Sequence, residues 1–434
     1  MSDTPRVWYH TFGCKANQYD TERMRQELES RGAATAFVPD DAEVAVINTC
    51  TVTNQADANA RRLIRRLRRE RPDLRIVVAG CSTALREADY LDMPETDGVV
   101  AGQDPLLVAG ALSEFGVEAE SSATPGPLAR NVRGTRGWLK VQDGCDRKCS
   151  FCATRVARGD SISRPPDEVI EEAKALARHH PELVITGIHI GHYGLDLEPR
   201  ITLSDLCTRL LGEVDARIRL SSIEATEIDD RLVGLLRDSG GQLARHLHVP
   251  MQSGSEEVLR LMRRWHTREA YRARVLEIAG LVDPLGLGAD IIVGFPGETD
   301  AHHAETRALV EELPFTYLHV FPYSVRDRTV AASLPDRVPG DVAAARSREL
   351  REIGVEKGIA YRAARAGTTA DIVVEQTADP DTSAGASALT GDYLRIRVFG
   401  DAEGGERFTA PLTLEGDQLI ARRERALLPY SASV

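Results

Sequence analysis

Apolar and polar positions in the first hundred residues alternate between two periods. Short apolar runs at Val7–Thr11, Val44–Asn48 and Arg75–Ala79 read as strands. Between them, Asn17–Arg31 and Gln55–Glu70 carry apolar positions at helical spacing. Strand and helix in alternation predict a parallel sheet with crossover helices. Cys14, Cys50 and Cys81 each fall just after one of these strands. The carboxyl ends of parallel strands share one edge, so three thiols far apart in the chain can meet there.

Periodicity lapses over 118–137, where Ser, Pro and Gly collect, and this stretch is expected to be a linker. A second alternating block comes next. Its strand candidates are Trp138–Gln142, Leu183–Thr186, Ile218–Ser221, His246–Val249, Leu287–Val293 and Tyr317–Val320. Six strand–helix units predict a partial barrel rather than the eight of a closed one. A helix over Val342–Ala366 stops at Gly367. Beyond it, runs at Asp371–Glu375, Tyr393–Val398, Arg407–Leu412 and Gln418–Arg422 predict a small β-barrel, with the acidic insertion Thr377–Ala388 as a flexible loop. The fold class is therefore α/β, with expected domains at 1–117, 138–366 and 367–434.

The length of 434 residues agrees with several domains, and a net charge of −12 excludes a globally basic nucleic-acid binder. RNA binding would need a local basic patch. One candidate is the helix with Arg61, Arg62, Arg65, Arg66, Arg68, Arg69 and Arg71, where Leu63 and Leu67 share one face. A solvated face and a phosphate-binding surface both fit it. No run of about 18 apolar residues exists, and the polar Met1–Arg6 does not read as a signal peptide. A cytoplasmic protein without membrane contact is expected.

Seven cysteines and no signal peptide argue against a disulfide framework. Cys145, Cys149 and Cys152 form C-x-x-x-C-x-x-C after a strand. Three such thiolates can hold three irons of a cubane and leave the fourth open. The competing reading is structural zinc, which wants a fourth ligand, and the next histidine along the chain is His179. Cys14, Cys50 and Cys81 taken alone also fit ordinary buried cysteines, as does Cys207 in LSDLCTRLL.

The C-x-x-x-C-x-x-C with Phe151 before its last cysteine resembles the radical S-adenosylmethionine superfamily. So does the order of the segments ITGIHIG, LSSIE, MQSGS and ADIIVGFPGET downstream of it. With FGCKANQYDTE, INTCTVTNQAD and VVAGCS in front, nearly the whole chain resembles the radical methylthiotransferase family. That resemblance implies two [4Fe-4S] clusters and S-adenosyl-L-methionine as cofactors. Cys145, Cys149 and Cys152 would hold the radical cluster, and Cys14, Cys50 and Cys81 an auxiliary cluster that carries sulfur. Phe151, Gly187, Ser222, Glu224 and Gln252 would line the cofactor. A C-terminal TRAM domain, a tRNA substrate and an electron donor such as a flavodoxin or ferredoxin are also implied. Arg155, Arg158, Arg395 and Arg397 would contact RNA, although Arg155 and Arg158 can equally pair with Asp143, Asp146 and Asp160.

GCKANQYDTE, NTCTVTNQAD and TGIHIGHYG resemble the branch acting on N6-threonylcarbamoyladenosine beside the anticodon, whose product is the 2-methylthio derivative. Isopentenyladenosine in tRNA, an aspartate of a ribosomal protein, or a non-enzymatic iron–sulfur RNA-binding role are the alternatives. One departure is Ala153-Thr154-Arg155-Val156, where the family often has an aliphatic–Pro–aromatic stretch. His189 and His192 read as pocket or packing residues rather than a metal pair.

Overall fold

The computed structural model describes residues 4–51, 54–117, 126–377 and 385–423. The N-terminal part is a parallel sheet of β1 (Arg6–Thr11), β2 (Ala34–Ala36), β3 (Val44–Thr49), β4 (Arg75–Gly80) and β5 (Gly98–Val99) in the order β2-β1-β3-β4-β5. Helices α1 (Lys15–Ser30), α2 (Asn54–Glu70), α3 (Cys81–Leu91) and α4 (Pro105–Leu112) complete it. Every residue of β3 is buried, as a central parallel strand covered on both faces requires. Leu63, Ile64 and Leu67 seat α2 on one face of the sheet, while α1 and α4 cover the other.

The next strands are β6 (Arg136–Lys140), the short β7 (Gln142–Asp143) and β8 (Ile162–Ser163), β9 (Glu182–Thr186), β10 (Arg217–Leu220), β11 (His246–His248), β12 (Gly286–Val293) and β13 (Tyr317–Pro322). Two parallel sheets, β10-β9-β6 and β11-β12-β13, are joined by the bridges Ile218↔Leu243 and Ser222↔His248. The result is six parallel strands in an open barrel. The helices around it are α5 (Thr154–Arg158), α6 (Pro166–Ala177), α7 (Leu203–Glu213), α8 (Asp230–Asp238), α9 (Glu256–Leu261), α10 (Arg268–Leu281), α11 (Asp300–Glu312) and α12 (Gly340–Arg365). One continuous apolar core fills the barrel and its helix layer, Cys207 included. Among the described residues no helix is long and apolar enough to cross a membrane.

The tail closes into a five-stranded barrel, as a TRAM-like domain should: β14 (Thr369–Gln376), β15 (Ala386–Thr390), β16 (Arg395–Gly400), β17 (Arg407–Glu415) and β18 (Gln418–Arg423). Strand β15 takes in the end of the segment expected as a flexible loop; residues 378–384 of that segment lie outside the described residues. Apolar Ala386 and Ala388 turn into the core of the small barrel, and the strand pairs with β14 and β16.

Buried charge joins this barrel to the larger one. Glu182 accepts from Arg219 Nε at 2.9 Å and also from Arg217. Arg217 continues to Asp371, and Arg219 to the carbonyls of Thr390 and Gly391. The two guanidiniums hold Glu182 down at about 2, although burial alone would raise it. The expected linker is also docked where it is described. Leu128 is fully buried, and Arg23 and Gln26 of α1 donate to the carbonyl of Gly126.

Candidate functional site

Cys14 caps α1, Cys50 directly follows β3 and Cys81 opens α3, so the three thiols share the carboxyl edge of the sheet. Gly13 stands at φ +102°, and a Cβ there would come within 2.6 Å of Cys50 Sγ. Glycine is the residue that tolerates both demands. Asn17, one turn into α1 from Cys14, donates to the carbonyls of Phe12 and Thr49 at 2.9 and 2.8 Å and fixes both cysteine-bearing loops. Burial pushes the Cys81 thiol up to about 12, against the pull of Arg158. A coordinated metal removes such a proton outright.

Cys145, Cys149 and Cys152 lie on the loop after β7. Backbone bonds tie it down: Cys145 N to Gly159 O, and Ser150 N to Met262 O. Cys145 Sγ is 3.7 Å from His189 Nδ1, whose Nε2 meets Glu227 at 2.7 Å. Arg264 reaches Cys149 Sγ at 3.6 Å and pairs with Glu224. Arg147 donates to Glu227 at 2.9 Å and lies over the Trp265 ring. His189, His192 and Glu227 are close enough to hold an ion, but the Arg147 guanidinium already supplies the cation there.

Zinc binds thiolates at ~2.3 Å in a tetrahedron, which keeps its sulfurs less than about 4 Å apart. Among the described residues, the sets of three possible ligand atoms within 4.8 Å of one another are His189–His192–Glu227 and His248–Asp290–His319. Neither cysteine trio is that tight. The all-thiol donor set of each trio fits an iron–sulfur cubane.

Of the remaining expected cofactor residues, Phe151, Gln252 and Ser222 line two adjoining pockets, whereas Gly187 and Glu224 line neither. Phe151, edge-on to Phe295, lines one of about 170 Å³ with Gln252, Asp290 and Arg326. Gln252 is held at φ +66° by bonds to both Asp290 and Ile292 of β12. Gly187 ends β9, where a Cβ would stand 2.8 Å from the Gln142 carbonyl. Ser222 opens instead on a cavity of about 480 Å³, bounded by Cys14, Lys15, Cys50, His246, His248, Tyr317, His319 and Tyr393. Asp290 and Phe321 line both pockets.

Arg158 corrects an expectation. Its side chain is fully buried, so it is not a surface RNA contact. It donates to Asp20 at 2.7 Å, Asp143 at 2.8 Å, Asn17 at 2.6 Å and Cys81 Sγ at 3.2 Å. Lys140 joins the same two carboxylates. One guanidinium from the radical loop thus braces the auxiliary cysteines. Asn17, Asp20 and Lys140 do not stand out in the sequence; their signal is the spacing of Cys14, Asn17 and Asp20 along one helix face. Arg264 and Arg326 carry no comparable signal. Arg155 pairs with Asp160 near the surface, Arg395 is exposed, and Arg397 is half-buried on β16.

Two family profiles match: the Uncharacterized protein family UPF0004 over residues 6–102, and the Radical SAM superfamily over 139–310. The chain is 39% identical to a threonylcarbamoyladenosine tRNA methylthiotransferase MtaB of Bacillus subtilis, covering 77% of each chain. It is 33% identical to its counterpart in Rickettsia prowazekii, over 91% of this chain and 93% of that one. A tRNA-2-methylthio-N(6)-dimethylallyladenosine synthase of Methylococcus capsulatus is also 33% identical, over 86% and 85%. The radical S-adenosylmethionine methyltransferase TsrM of Kitasatospora setae shares the fold, with a TM-score of 0.55 at 17% identity over 76% of this chain and 77% of that one. Radical S-adenosylmethionine enzymes bind a four-iron cluster and S-adenosylmethionine, and methylthiotransferases carry a second cluster; the two cysteine trios suit one each. Identity and coverage agree with the geometry: the chain belongs to the radical S-adenosylmethionine tRNA methylthiotransferase family.

Proposed function

We propose that this protein converts N6-threonylcarbamoyladenosine beside the anticodon of tRNA to its 2-methylthio derivative. The observation that carries this reading is a pair of adjoining pockets. One opens at Phe151 and Gln252 of the radical side, the other at Cys14 and Cys50, and Asp290 and Phe321 are common to both walls. A base held there faces both halves of the chemistry. The names of the relatives in Bacillus and Rickettsia support the threonylcarbamoyl substrate.

When bound, S-adenosylmethionine and the two clusters supply a carbon radical able to take hydrogen from the unactivated C2 of adenine, and the sulfur that replaces it. The chain's own residues bind and orient. Cys145, Cys149 and Cys152 would hold the radical cluster, with Arg264 balancing thiolate charge at Cys149. Cys14, Cys50 and Cys81 would hold the auxiliary cluster, with Arg158 doing the same at Cys81. Tyr317, Tyr393 and Phe321 offer aromatic faces for a flipped-out base. Phe151, Gly187, Ser222, Glu224 and Gln252 would contact the cofactor at the strand ends. Arg62 and Arg69, exposed on α2 beside a groove with Arg65 and Arg66, and Arg395 on the small barrel, would meet RNA phosphates.

The test is to delete the gene and measure tRNA nucleosides by liquid chromatography–mass spectrometry. Loss of the 2-methylthio-threonylcarbamoyl nucleoside, with its precursor rising, is expected. Loss of the 2-methylthio-dimethylallyl nucleoside instead would move the protein to the other branch. No change in any tRNA nucleoside would sink the tRNA reading.

A further inference from the structure

Lys15 is the first residue of α1 and the neighbour of Cys14. It is half-buried against the larger cavity, yet it makes no hydrogen bond or ion pair with any described residue. The one carboxylate lining that cavity, Asp290, is turned to other partners: His248 Nε2 at 3.0 Å and His319 Nδ1 at 3.3 Å. A cation withdrawn from water without a counter-ion is costly unless a ligand brings the charge.

His246 and Tyr317 form the wall of the same cavity. His246 is 3% exposed, and its Nδ1 has no hydrogen-bond partner. Its Nε2 lies 2.8 Å from the Tyr317 hydroxyl, which is also 3.0 Å from His248 Nδ1. The proton order is set by Asp290, which as a carboxylate can only accept. With neutral imidazoles, His248 donates from Nε2 to Asp290 and accepts at Nδ1 from Tyr317. The Tyr317 oxygen then accepts from His246 Nε2–H, which leaves His246 Nδ1 a bare acceptor. The cavity thus offers an unpaired cation at Lys15, with the Tyr317 and Tyr393 rings in the same wall.

We infer that Lys15 is a specificity-determining residue that binds the carboxylate of the threonylcarbamoyl group. This rests on the threonylcarbamoyladenosine substrate proposed for the same site. The constitution of the nucleoside agrees with it: C2 and C6 flank N1 and C6 carries N6, so the N6 substituent lies along the edge on which C2 reacts. A cation next to Cys14 is therefore beside the substituent when C2 faces the auxiliary cysteines. A dimethylallyl group has no charge to meet Lys15 and would leave it unpaired.

The experiment uses the reconstituted holoenzyme and an anticodon stem-loop carrying either threonylcarbamoyladenosine or its threonine-amide analogue. For wild type, the amide should lose about 10- to 100-fold in kcat/KM, the range of a charge-assisted hydrogen bond. Lys15→Gln should lose the same factor on the acid, chiefly through KM, and no longer distinguish acid from amide. Lys15→Arg should recover most of the discrimination. Iron content and the electron paramagnetic resonance signal of the auxiliary cluster should not change in either variant. Equal losses on acid and amide, or a shifted cluster signal, would overturn the inference and make Lys15 a partner of the cluster. Discrimination surviving in Lys15→Gln but vanishing in Arg326→Gln would overturn it in favour of Arg326. Wild-type turnover of a dimethylallyladenosine stem-loop with none on the threonylcarbamoyl one would overturn the substrate reading itself.

Discussion

At the scale of single residues, the site is organised by charge buried between the two halves of the molecule. Arg158 leaves the radical loop and meets Asp20, Asp143, Asn17 and Cys81, with no exposed surface of its own. Its rigid planar fork aims donors at four separate groups, a geometry that the compact ammonium of lysine does not reproduce. Arg158→Lys cannot hold all four acceptors in this geometry, so Lys140 is left to balance at least one carboxylate alone; fully breaking a buried pair costs about 3–5 kcal/mol, and this partial loss should cost less. Thermal unfolding should drop by several degrees, and iron should fall toward the content of one cluster. An unchanged melting curve with full iron would refute the bracing role. Gly13 makes a sharper case, because its Cβ space is taken by Cys50. Gly13→Ala should cost auxiliary-cluster iron while leaving the radical cluster able to cleave S-adenosylmethionine, and iron analysis beside a 5′-deoxyadenosine assay separates the two.

At the scale of elements, pattern and structure agree where strands are buried on both faces and helices are long. The strand ends that carry Cys14, Cys50 and Cys81 were legible for that reason, as was the six-strand barrel. Ala34–Ala36 and Gly98–Val99 were not, since two or three small residues at sheet edges carry no period. Nor was Ala386–Thr390, whose Ala and Ser content reads as loop until β14 and β16 flank it. The motifs around Phe151, Ser222 and Gln252 stand out in the sequence, but the split that puts Phe151 and Gln252 on one pocket and Ser222 on the other, beside Cys14 and Cys50, is tertiary. The arginine helix divides in the same way. Arg61, Arg68 and Arg71 are spent on Asp89, Asp97 and Asp73, whereas Arg62 and Arg69 stay exposed. Arg62→Glu with Arg69→Glu should weaken tRNA binding and lower the slope of log affinity against log salt by about two, with melting temperature unchanged. An unaltered slope would return α2 to a solvated face. The Glu182 clamp carries a pH dependence of definite sign. Its folded value of about 2 lies below the ordinary glutamate value, so its stabilisation is present above ~4.3 and lost as pH falls toward 2. In urea unfolding of the apoprotein, the gap between wild type and Glu182→Gln should be on the order of 3 kcal/mol at pH 6 and shrink toward zero near pH 2. A gap independent of pH would remove charge from the account.

At the scale of the whole molecule, the small C-terminal barrel is more than an RNA handle. Arg217 and Arg219 hold it against the N-terminal ends of β9 and β10, and Arg365 and Tyr361 grip Asp392 from α12. The turn so fixed sets Tyr393 at φ +71° and lays its ring on His246, with centroids 4.2 Å apart. Residues from all three parts therefore bound one cavity: Cys14 and Lys15 from the sheet, His246 and Tyr317 from the open barrel, Tyr393 from the closed one. A phosphate-contacting role alone predicts that substitutions in the tail weaken every tRNA alike and leave turnover at saturation intact. A wall of the reaction cavity predicts otherwise. Removing one aromatic stack costs about 1 kcal/mol beyond lost area, so Tyr393→Ala should lower kcat/KM on the modified stem-loop roughly tenfold. Affinity for bulk tRNA, carried by backbone charge, should stay where it was. Arg395→Ala should do the reverse, weakening tRNA binding with kcat intact. If Tyr393→Ala instead tracks Arg395→Ala in both measurements, the small barrel acts on RNA alone and the cavity ends at the open barrel.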